Sequence, residues 1–413
     1  MSIPNRTRQA LASAWLGGAA LLVVIGVVHS PGEAFRASLS GLQIWWQQVF
    51  PGLVPPLILA ELLAASGLLH GFAVLAEPLT RRWFRLPGAA GWAVAFGWSA
   101  GIPAGAKETA RLREAGLIRA EDSDTLLLVS HVPNPFLIVA IAGAGFLHSP
   151  LLGWAIAAGV WSAAILAGVI WSRLFRSAES AAVSVSTQPA QPLLRRAVQA
   201  AEEGRLGDGR PLGKQLADGV TQAVATLMGV GGLMMMASVV LRLVQLRIPG
   251  SDAWLAFPGL YEMHLGAYET GRSPLFESAP ASAAALIAAL LAWTGWSGLL
   301  QARAAFGAAG GFPWGRLISG KLLQSALALL ITFPLAKTAL AGAPMFGEAA
   351  LAYLPYGTLA REMAASADPA WAAWRHWPEI WLSGLFSLAV FLLLALLAAI
   401  IRPKRKNRPP DSK

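Results

Sequence analysis

The stretch GWSAGIPAGAK, residues 97–107, ends an apolar segment that is long enough to cross a membrane but cannot be a regular helix. Gly101, Pro103 and Gly105 interrupt it, because proline removes a backbone donor and glycine lowers helix stability. Glycines also recur at 97, 101 and 105, the small-xxx-small pattern of closely packed membrane helices. Two compatible interpretations follow. The stretch is a packing face, or it is an unwound segment whose next helix directs its N-terminus and Lys107 at an anion.

The composition excludes a soluble protein. Hydrophobic residues make up 55% of the 413 and charged residues 13%, whereas ordinary globular chains carry about 25% charged residues. The chain has no cysteine, which excludes a disulfide scaffold, a cysteine zinc site and a thiol nucleophile. Half of the formal net charge of +10 lies in residues 402–413. A basic tail after an apolar stretch is typical of a cytoplasmic anchor against anionic lipid, so we expect membrane lipid as a partner and no nucleic acid.

Apolar stretches recur along the whole chain, and one membrane crossing needs about 20 helical residues. The pattern predicts an all-α, polytopic helical membrane protein with about eight or nine apolar segments. Two of the stretches contain an ionisable residue, Glu61 or Lys337, which is functional by default unless it lies near a span end. In chain order the stretches are 10–29, 50–69, 86–106, 125–147, 150–172, 219–241, 279–302, 322–343 and 380–401.

Basic segments predict which parts of the chain face the cytoplasm. Both sides of 86–106 are basic, so we predict that this stretch is re-entrant. Trp371, Trp374 and Trp377 predict an outer interfacial loop. The predicted organisation, with both termini cytoplasmic, is an N-terminal membrane helix (1–31), a first membrane half (32–173), a cytoplasmic polar linker (174–218), a second membrane half (219–343), the outer loop (344–378), and a C-terminal membrane helix with its basic tail (379–413).

A second break lies in SHVPNPF, residues 130–136. Two prolines interrupt an apolar span here, and the carbonyls that they free need partners from the protein or from a cavity. Asn134, which precedes Pro135, can both donate and accept hydrogen bonds. His131 is a candidate proton carrier, although a single buried histidine is more commonly a hydrogen-bonded structural residue.

Related features occur in the second half. The segment GLYEMHLG, residues 259–266, contains Glu262 and Gly266 in a Gly/Pro-flanked turn, where the carboxylate is either an exposed loop residue or faces a cavity. The segment WTGWSG, residues 293–298, interrupts the stretch 279–302.

The break at 293–298 also aligns with the break in the first half. Matching Gly101 to Gly295 sets Lys107 opposite Gln301. Transport folds built from inverted repeats carry broken helices in corresponding positions. We therefore predict broken or re-entrant helices in two halves that resemble an inverted repeat.

The sequence contains one match to a catalytic motif, but the surrounding residues do not fit the structure that the motif requires. Residues 97–101 match G-x-S-x-G, but a nucleophile elbow requires a strand before it and a helix after it. The six histidines are scattered without metal-ligand spacing. We expect no enzyme activity, no metal and no cofactor.

Four motifs together resemble the YlbJ family of sporulation integral membrane proteins, which carry the nucleoside-recognition or Gate domain. The resemblance runs from about Gly32 to Lys337. The sequence departs from the family at Ile102 and His264, where Tyr and Thr are expected, so neither is taken as a site residue. The motifs are WW at 45–46 followed by FP at 50–51, GIPAGAK at 101–107, NPF at 134–136, and FPGLYEM at 257–263 with LG at 265–266.

The resemblance implies an endospore-forming bacterium and a protein of the mother-cell-derived outer forespore membrane. The Gate domain is similar to parts of concentrative nucleoside transporters, which move small polar solutes through broken-helix hairpins. The implied cargo is dipicolinate, an aromatic dicarboxylate, and an electropositive helix end with Lys107 suits such an anion.

We therefore predict a membrane permease for a small anionic metabolite, with dipicolinate as the first candidate and no covalent chemistry. A non-transporting sporulation scaffold and a nucleoside permease are the alternatives. The coupling ion, a homo-oligomeric state and other partners stay open. The predicted substrate site consists of Gly101, Pro103, Gly105, Lys107, Asn134 and Pro135 from the first half, and Glu262, Gly266, Gly295, Ser297 and Gln301 from the second.

Overall fold

The computed structural model describes residues 5–175, 192–248, 258–307 and 311–342. Helices make up 86% of it, and no strand occurs within these ranges. Five helical segments are long and apolar enough to cross a membrane, which confirms the predicted all-α polytopic membrane fold. These segments are Pro31–Ala65, Pro150–Phe175, Leu212–Arg247, Pro280–Ala305 and Trp314–Ala341.

The first half combines long spans with short helices that end inside the fold. A 3-10 turn, Ala120–Asp122, precedes the second broken segment. In chain order the helices are α1 (Asn5–His29), α2 (Pro31–Ile44), a π-helix (Trp45–Val49), α3 (Phe50–Ala65), α4 (Leu68–Arg82), α5 (Ala90–Ala100), α6 (Ala104–Glu114), α7 (Ser123–Ser130), a second π-helix (Phe136–Phe146) and α8 (Pro150–Phe175).

The second half is reached through a helix that sequence analysis assigned to the polar linker. A 3-10 turn, Pro258–Leu260, precedes its short helices. The helices are α9 (Leu193–Asp208), α10 (Leu212–Arg247), α11 (Met263–Gly271), α12 (Pro274–Ser278), α13 (Pro280–Trp293), α14 (Gly295–Ala305) and α15 (Trp314–Gly342). The predicted outer loop, the C-terminal membrane helix and the basic tail lie outside the described residues, as do linker residues 176–191.

Helix α9 packs along α4, so the described part of the linker is structured and belongs to the membrane half beside it. Small residues permit the close approach: a Cβ atom on Gly71 would lie 3.0 Å from the Ala197 carbonyl oxygen. An ion pair fixes the contact, because Glu77 accepts from Arg196 of α9 as well as from Arg81 on its own helix. Sequence analysis missed this helix because its polar face resembles that of a solvated linker.

The core of the molecule is formed by α8, α13 and α15, which pack against one another. Helix α13 is rich in alanine and is buried on nearly all sides. A helix that is apolar all round belongs in an interior, and alanine lets neighbouring backbones approach. This core supports the short helices that break next to it.

Residues 86–106 do not form a single helix, and neither of the two short helices in their place is long enough to cross a membrane alone. Helices α5 and α6 have 11 residues each, about 16 Å of helix, whereas the apolar core of a bilayer is about 30 Å thick. They pack against each other and meet at Gly101–Pro103. This arrangement is the one that a re-entrant hairpin requires.

The glycines at 97 and 105 are packing residues. A Cβ atom on either one would overlap the carbonyl oxygen of Ser130, the last residue of α7. The Cα of Gly105 also lies 3.1 Å from the position of a Cβ on Gly97. The hairpin can therefore hold the end of α7 between its arms only if both positions lack a side chain.

Substituting Gly97→Ala should lower the thermal unfolding temperature of the purified protein in detergent, because the added methyl group forces the hairpin away from Ser130. Gly232→Ala is the matched control, since that position in α10 has no atom within 4 Å of an added Cβ. Alanine is favoured over glycine in a helix by about 1 kcal/mol, so this control should be unchanged or more stable. Equal stability of the two variants would contradict the packing assigned to Gly97.

Candidate functional site

The first two breaks are joined by one side chain. Asn134 is buried, and its Nδ2 donates to the carbonyl oxygen of Ala100, the last residue of α5, at 3.1 Å. Its Oδ1 accepts from the amide of Leu137 at 2.8 Å, which caps the π-helix that begins after Pro135. Asn134 thus satisfies two backbone groups that two broken helices leave without partners, as an apolar environment demands.

Gly101 makes this junction possible. Its φ of +82° lies in the left-handed region, and a Cβ there would lie 3.1 Å from both the amide nitrogen and the Cβ of Asn134. Pro103 then precedes α6 at its N-terminus. The conformation of the hairpin tip is therefore determined by its close contact with Asn134 in the second break.

The break in the second half has a different construction. Thr294 and Gly295 both have positive φ, +70° and +68°, and the helix restarts at once as α14. The amide of Ser297 donates to the carbonyl oxygen of Tyr261 at 2.9 Å. A Cβ on Gly295 would lie 2.9 Å from the same oxygen, so glycine is required by close approach as well as by φ.

Glu262 has a capping position. Its carboxylate accepts from the amide of Leu265 and from Nδ1 of His264, both at 2.7 Å, and it thereby caps α11. Glu262 is buried, and it lines neither of the two cavities described below. Gly266 is likewise a packing residue, because its backbone lies directly against Gly259.

A buried lysine connects the two halves, and sequence analysis missed it. Lys321 is fully buried in α15, and its Nζ donates to the carbonyl oxygen of His131 at 2.8 Å. The ring of His131 in turn donates from Nε2 to the carbonyl oxygen of Gly298 at 3.2 Å. No carboxylate in the described part of the chain pairs with Lys321. It was overlooked because the apolar stretch was counted from 322, whereas α15 begins at Trp314 and places Lys321 two turns inside it.

Buried polar atoms without hydrogen-bond partners lie on the residues around the contact between Lys321, His131 and Gly298. Among the described residues, the Nδ1 of His131, the hydroxyls of Thr294 and Ser297, and the amide of Gln324 are buried without a hydrogen-bond partner. By contrast, Lys337, the ionisable residue that sequence analysis noted on α15, is exposed and lies 4.8 Å from the ring centre of Phe333. The functional candidate on this helix is therefore Lys321.

A small cavity lies where the breaks of both halves meet. Both halves contribute to its wall, and Gln301 and Asn134 are the predicted site residues that reach it. Ile102 and His264, which sequence analysis set aside as departures from the family pattern, also face it. The wall residues nearest the breaks are Ala100, Ile102, Asn134, Met263, His264 and Gln301.

A larger cavity of about 870 Å³ lies on the other side of the hairpin tip. Its wall includes Lys107 and Pro103 from the hairpin, together with parts of α3, α4, α9 and α10. Leu57 and Ala100 line both cavities, so the two are neighbours across a thin wall. The structure therefore separates Lys107 from Glu262, Gly266, Gly295 and Ser297, which the sequence had joined in one site.

The aromatic part of the larger cavity is built around Trp92. Its ring lies 4.4 Å from the ring of His70 and 5.7 Å from that of Phe96, measured between centroids. Its Nε1 donates to Glu108 at 2.7 Å. This wall offers flat apolar surface next to charged groups.

Most charged groups of the larger cavity are paired. Glu108 accepts from Arg111 at 2.8 Å, and Arg210 donates to both Asp208 and Asp218, at 2.6 and 2.7 Å. The Arg210 guanidinium lowers the pKa of Asp208 to about 2, so that this carboxylate stays ionised at neutral pH.

Lys107 is partly buried on the cavity wall, and no carboxylate of the described chain forms an ion pair with it. An ammonium group in this situation is available to an anionic solute. In the described parts of the chain, no group of three or more His, Asp or Glu side chains is arranged to hold a metal ion.

Replacing Asn134 tests the junction between the first two breaks. Asn134→Leu should cost roughly 2–4 kcal/mol of stability, because it leaves the Ala100 carbonyl and the Leu137 amide buried and unpaired. Gln43→Leu on the exposed face of α2 should cost almost nothing. Unfolding of both variants in detergent by denaturant measures the difference.

Asn134→Asp should give a variant whose stability depends on pH. A protonated carboxyl group can donate to the Ala100 carbonyl, whereas an ionised one cannot. Stability should therefore be highest below the pKa of the new side chain and should fall as the pH rises through it. A flat stability profile, or one that rises with pH, would contradict the assigned donor role of Asn134.

Comparison with known proteins finds a relative that covers about half of the chain. The sporulation integral membrane protein YlbJ of Bacillus subtilis (strain 168) is 37% identical over 224 residues, which cover 54% of this chain and 55% of that protein. The chain thus aligns with about half the length of the curated relative. No family model matches the sequence, and no solved structure is similar to it. The match confirms the resemblance to the YlbJ family of sporulation integral membrane proteins that the motifs predict.

Proposed function

We propose that this protein is a membrane permease for a small anionic metabolite, and that dipicolinate is its leading candidate substrate. The observation that carries the proposal is the ammonium group of Lys107, which lines a large cavity beside a broken helix and has no ion pair among the described residues. Binding clefts for small solutes have volumes of about 300–1,000 Å³, and this cavity falls in that range at about 870 Å³.

The chemistry of the wall supports an aromatic carboxylate. Lys107 can bind one carboxylate, and the clustered rings of Trp92, His70 and Phe96 offer an apolar surface to an aromatic ring. A nucleoside also contains an aromatic ring but lacks a negative charge. Lys107 therefore favours the anion over the nucleoside alternative.

The position of the two cavities supports a transport path. They share Leu57 and Ala100, and the small cavity lies between the breaks of the two halves. Movement of the α5–α6 hairpin relative to α14 would open the thin wall between them and expose the solute to the other side, without covalent chemistry. We assign the protein to the outer forespore membrane because its relative is a sporulation integral membrane protein by name. We assign both termini to the cytoplasm because of the basic segments of the sequence.

Uptake of labelled dipicolinate into vesicles that contain the purified protein tests the proposal. The parent should accumulate it, and Lys107→Met should reduce the initial rate at least about tenfold, since one charge-assisted hydrogen bond contributes about 1.5–3 kcal/mol. Lys337→Met is the matched control, because that lysine is exposed on α15, and it should transport like the parent.

Competition separates the alternatives. An excess of unlabelled dicarboxylate should suppress uptake, whereas adenosine should not. Uptake of adenosine instead would favour the nucleoside permease. Absence of uptake of all these solutes by protein that unfolds cooperatively would favour a non-transporting sporulation scaffold and would contradict the permease.

A further inference from the structure

Glu61 and Lys107 are two opposite charges that face the same cavity without a direct bond. Glu61 lies on α3 beside Gly219 of α10. A Cβ atom added to Gly219 would lie 3.6 Å from the Cβ of Glu61. Both side chains are partly buried. Both line the same cavity, yet no ion pair within 4 Å joins either one to another described residue.

The other charges that face Glu61 come from four directions. Helix α6 contributes Glu108 and Arg111 next to Lys107, and α4 contributes His70. Helix α9 contributes the exposed Glu203 and also Asp208, and the start of α10 contributes Arg210 and Asp218. Glu108, Asp208 and Asp218 are held by arginine, so Glu61 is the partly buried carboxylate of this wall that lacks such a partner in the described chain.

The charge balance of the cavity opposes an unaccompanied anion. Five carboxylates line it against three permanent cations, Lys107, Arg111 and Arg210. A dicarboxylate that binds Lys107 adds further negative charge beside Glu61, in a partly desolvated space where like charges repel strongly. Protonation of Glu61, the partly buried carboxylate of this wall without an arginine partner, removes part of that repulsion.

We propose that Glu61 is the proton-coupling residue of this site, which takes up one proton when a carboxylate of the solute binds Lys107. The proton comes from water and forms an O–H bond on the Glu61 carboxylate, and no other covalent bond changes. On release of the solute, Glu61 returns the proton to the phase that receives it. The proposal rests on the permease function above and makes that function anion–proton symport.

Equilibrium binding of labelled dipicolinate in detergent tests this assignment between about pH 6 and pH 8, above the range in which carboxylic acids in water titrate. Linked uptake of one proton makes the Kd rise up to tenfold for each pH unit. The parent should show this slope. Glu61→Gln, which mimics the protonated carboxyl group, should bind with a Kd that is nearly independent of pH.

Two control variants separate Glu61 from the other titratable groups of the cavity. Glu203→Gln removes an exposed carboxylate from the same wall, and His70→Gln removes the one imidazole that lines it. Both should retain the dependence of the Kd on pH that the parent shows, while His70→Gln should raise the Kd by a similar factor at every pH because its ring belongs to the aromatic wall. A slope lost in His70→Gln but kept in Glu61→Gln would transfer the coupling to His70 and overturn the proposal.

The remaining outcomes distinguish a failure of proton coupling from a failure of the permease function. Binding that is flat with pH in the parent, or that keeps its slope in Glu61→Gln, would overturn proton coupling while leaving an anion permease in place. Failure of the parent to bind or transport dipicolinate or related carboxylates at any pH would overturn both. In vesicles, an inward proton gradient should accelerate uptake by the parent and not by Glu61→Gln.

Discussion

Backbone groups freed inside an apolar interior must find partners, and this constraint governs the middle of the structure. The chain breaks helices at Gly101–Pro103, at 131–135 and at Thr294–Gly295. Asn134 pairs the backbone at the first two breaks. The carbonyl of Tyr261 receives the amide of Ser297 at the third. Each break is therefore a stable feature with defined partners, and the cavities lie beside these features.

At His131, buried polar groups from the two halves are also satisfied by hydrogen bonds to each other. The carbonyl oxygen of His131 accepts from the buried Lys321, and the ring of His131 donates to Gly298. A buried ammonium group is costly unless several acceptors surround it, and here one backbone carbonyl is its hydrogen-bond partner among the described residues. Such a site favours one arrangement of α7, α14 and α15, and a shift between these helices would change all of its bonds together.

The sequence was sufficient for the fold class because apolar length and charge bias are local signals. It also located the breaks, since proline and glycine act on the backbone where they stand. The sequence could not predict which contacts the individual side chains make at the breaks. Glu262 accepts from an amide in the first turn of its own helix, and this contact depends on a turn that spacing alone does not determine. The helix at 193–208 was missed because its many charged residues resemble those of a solvated linker, and its docking depends on close contact with α4. Lys321 was missed because its burial depends on where α15 begins.

The proposed transport requires a solute carboxylate that binds directly to Lys107. Solid-state nuclear magnetic resonance can measure the distance from the ¹⁵N-labelled lysine side chain to the ¹³C-labelled carboxylates of dipicolinate in membranes. Comparison with Lys107→Met assigns the signal to one lysine. The account predicts a contact of about 3–4 Å that disappears in that variant. A contact that persists there, or dipicolinate that binds with no lysine nitrogen within this distance, would contradict the proposed site.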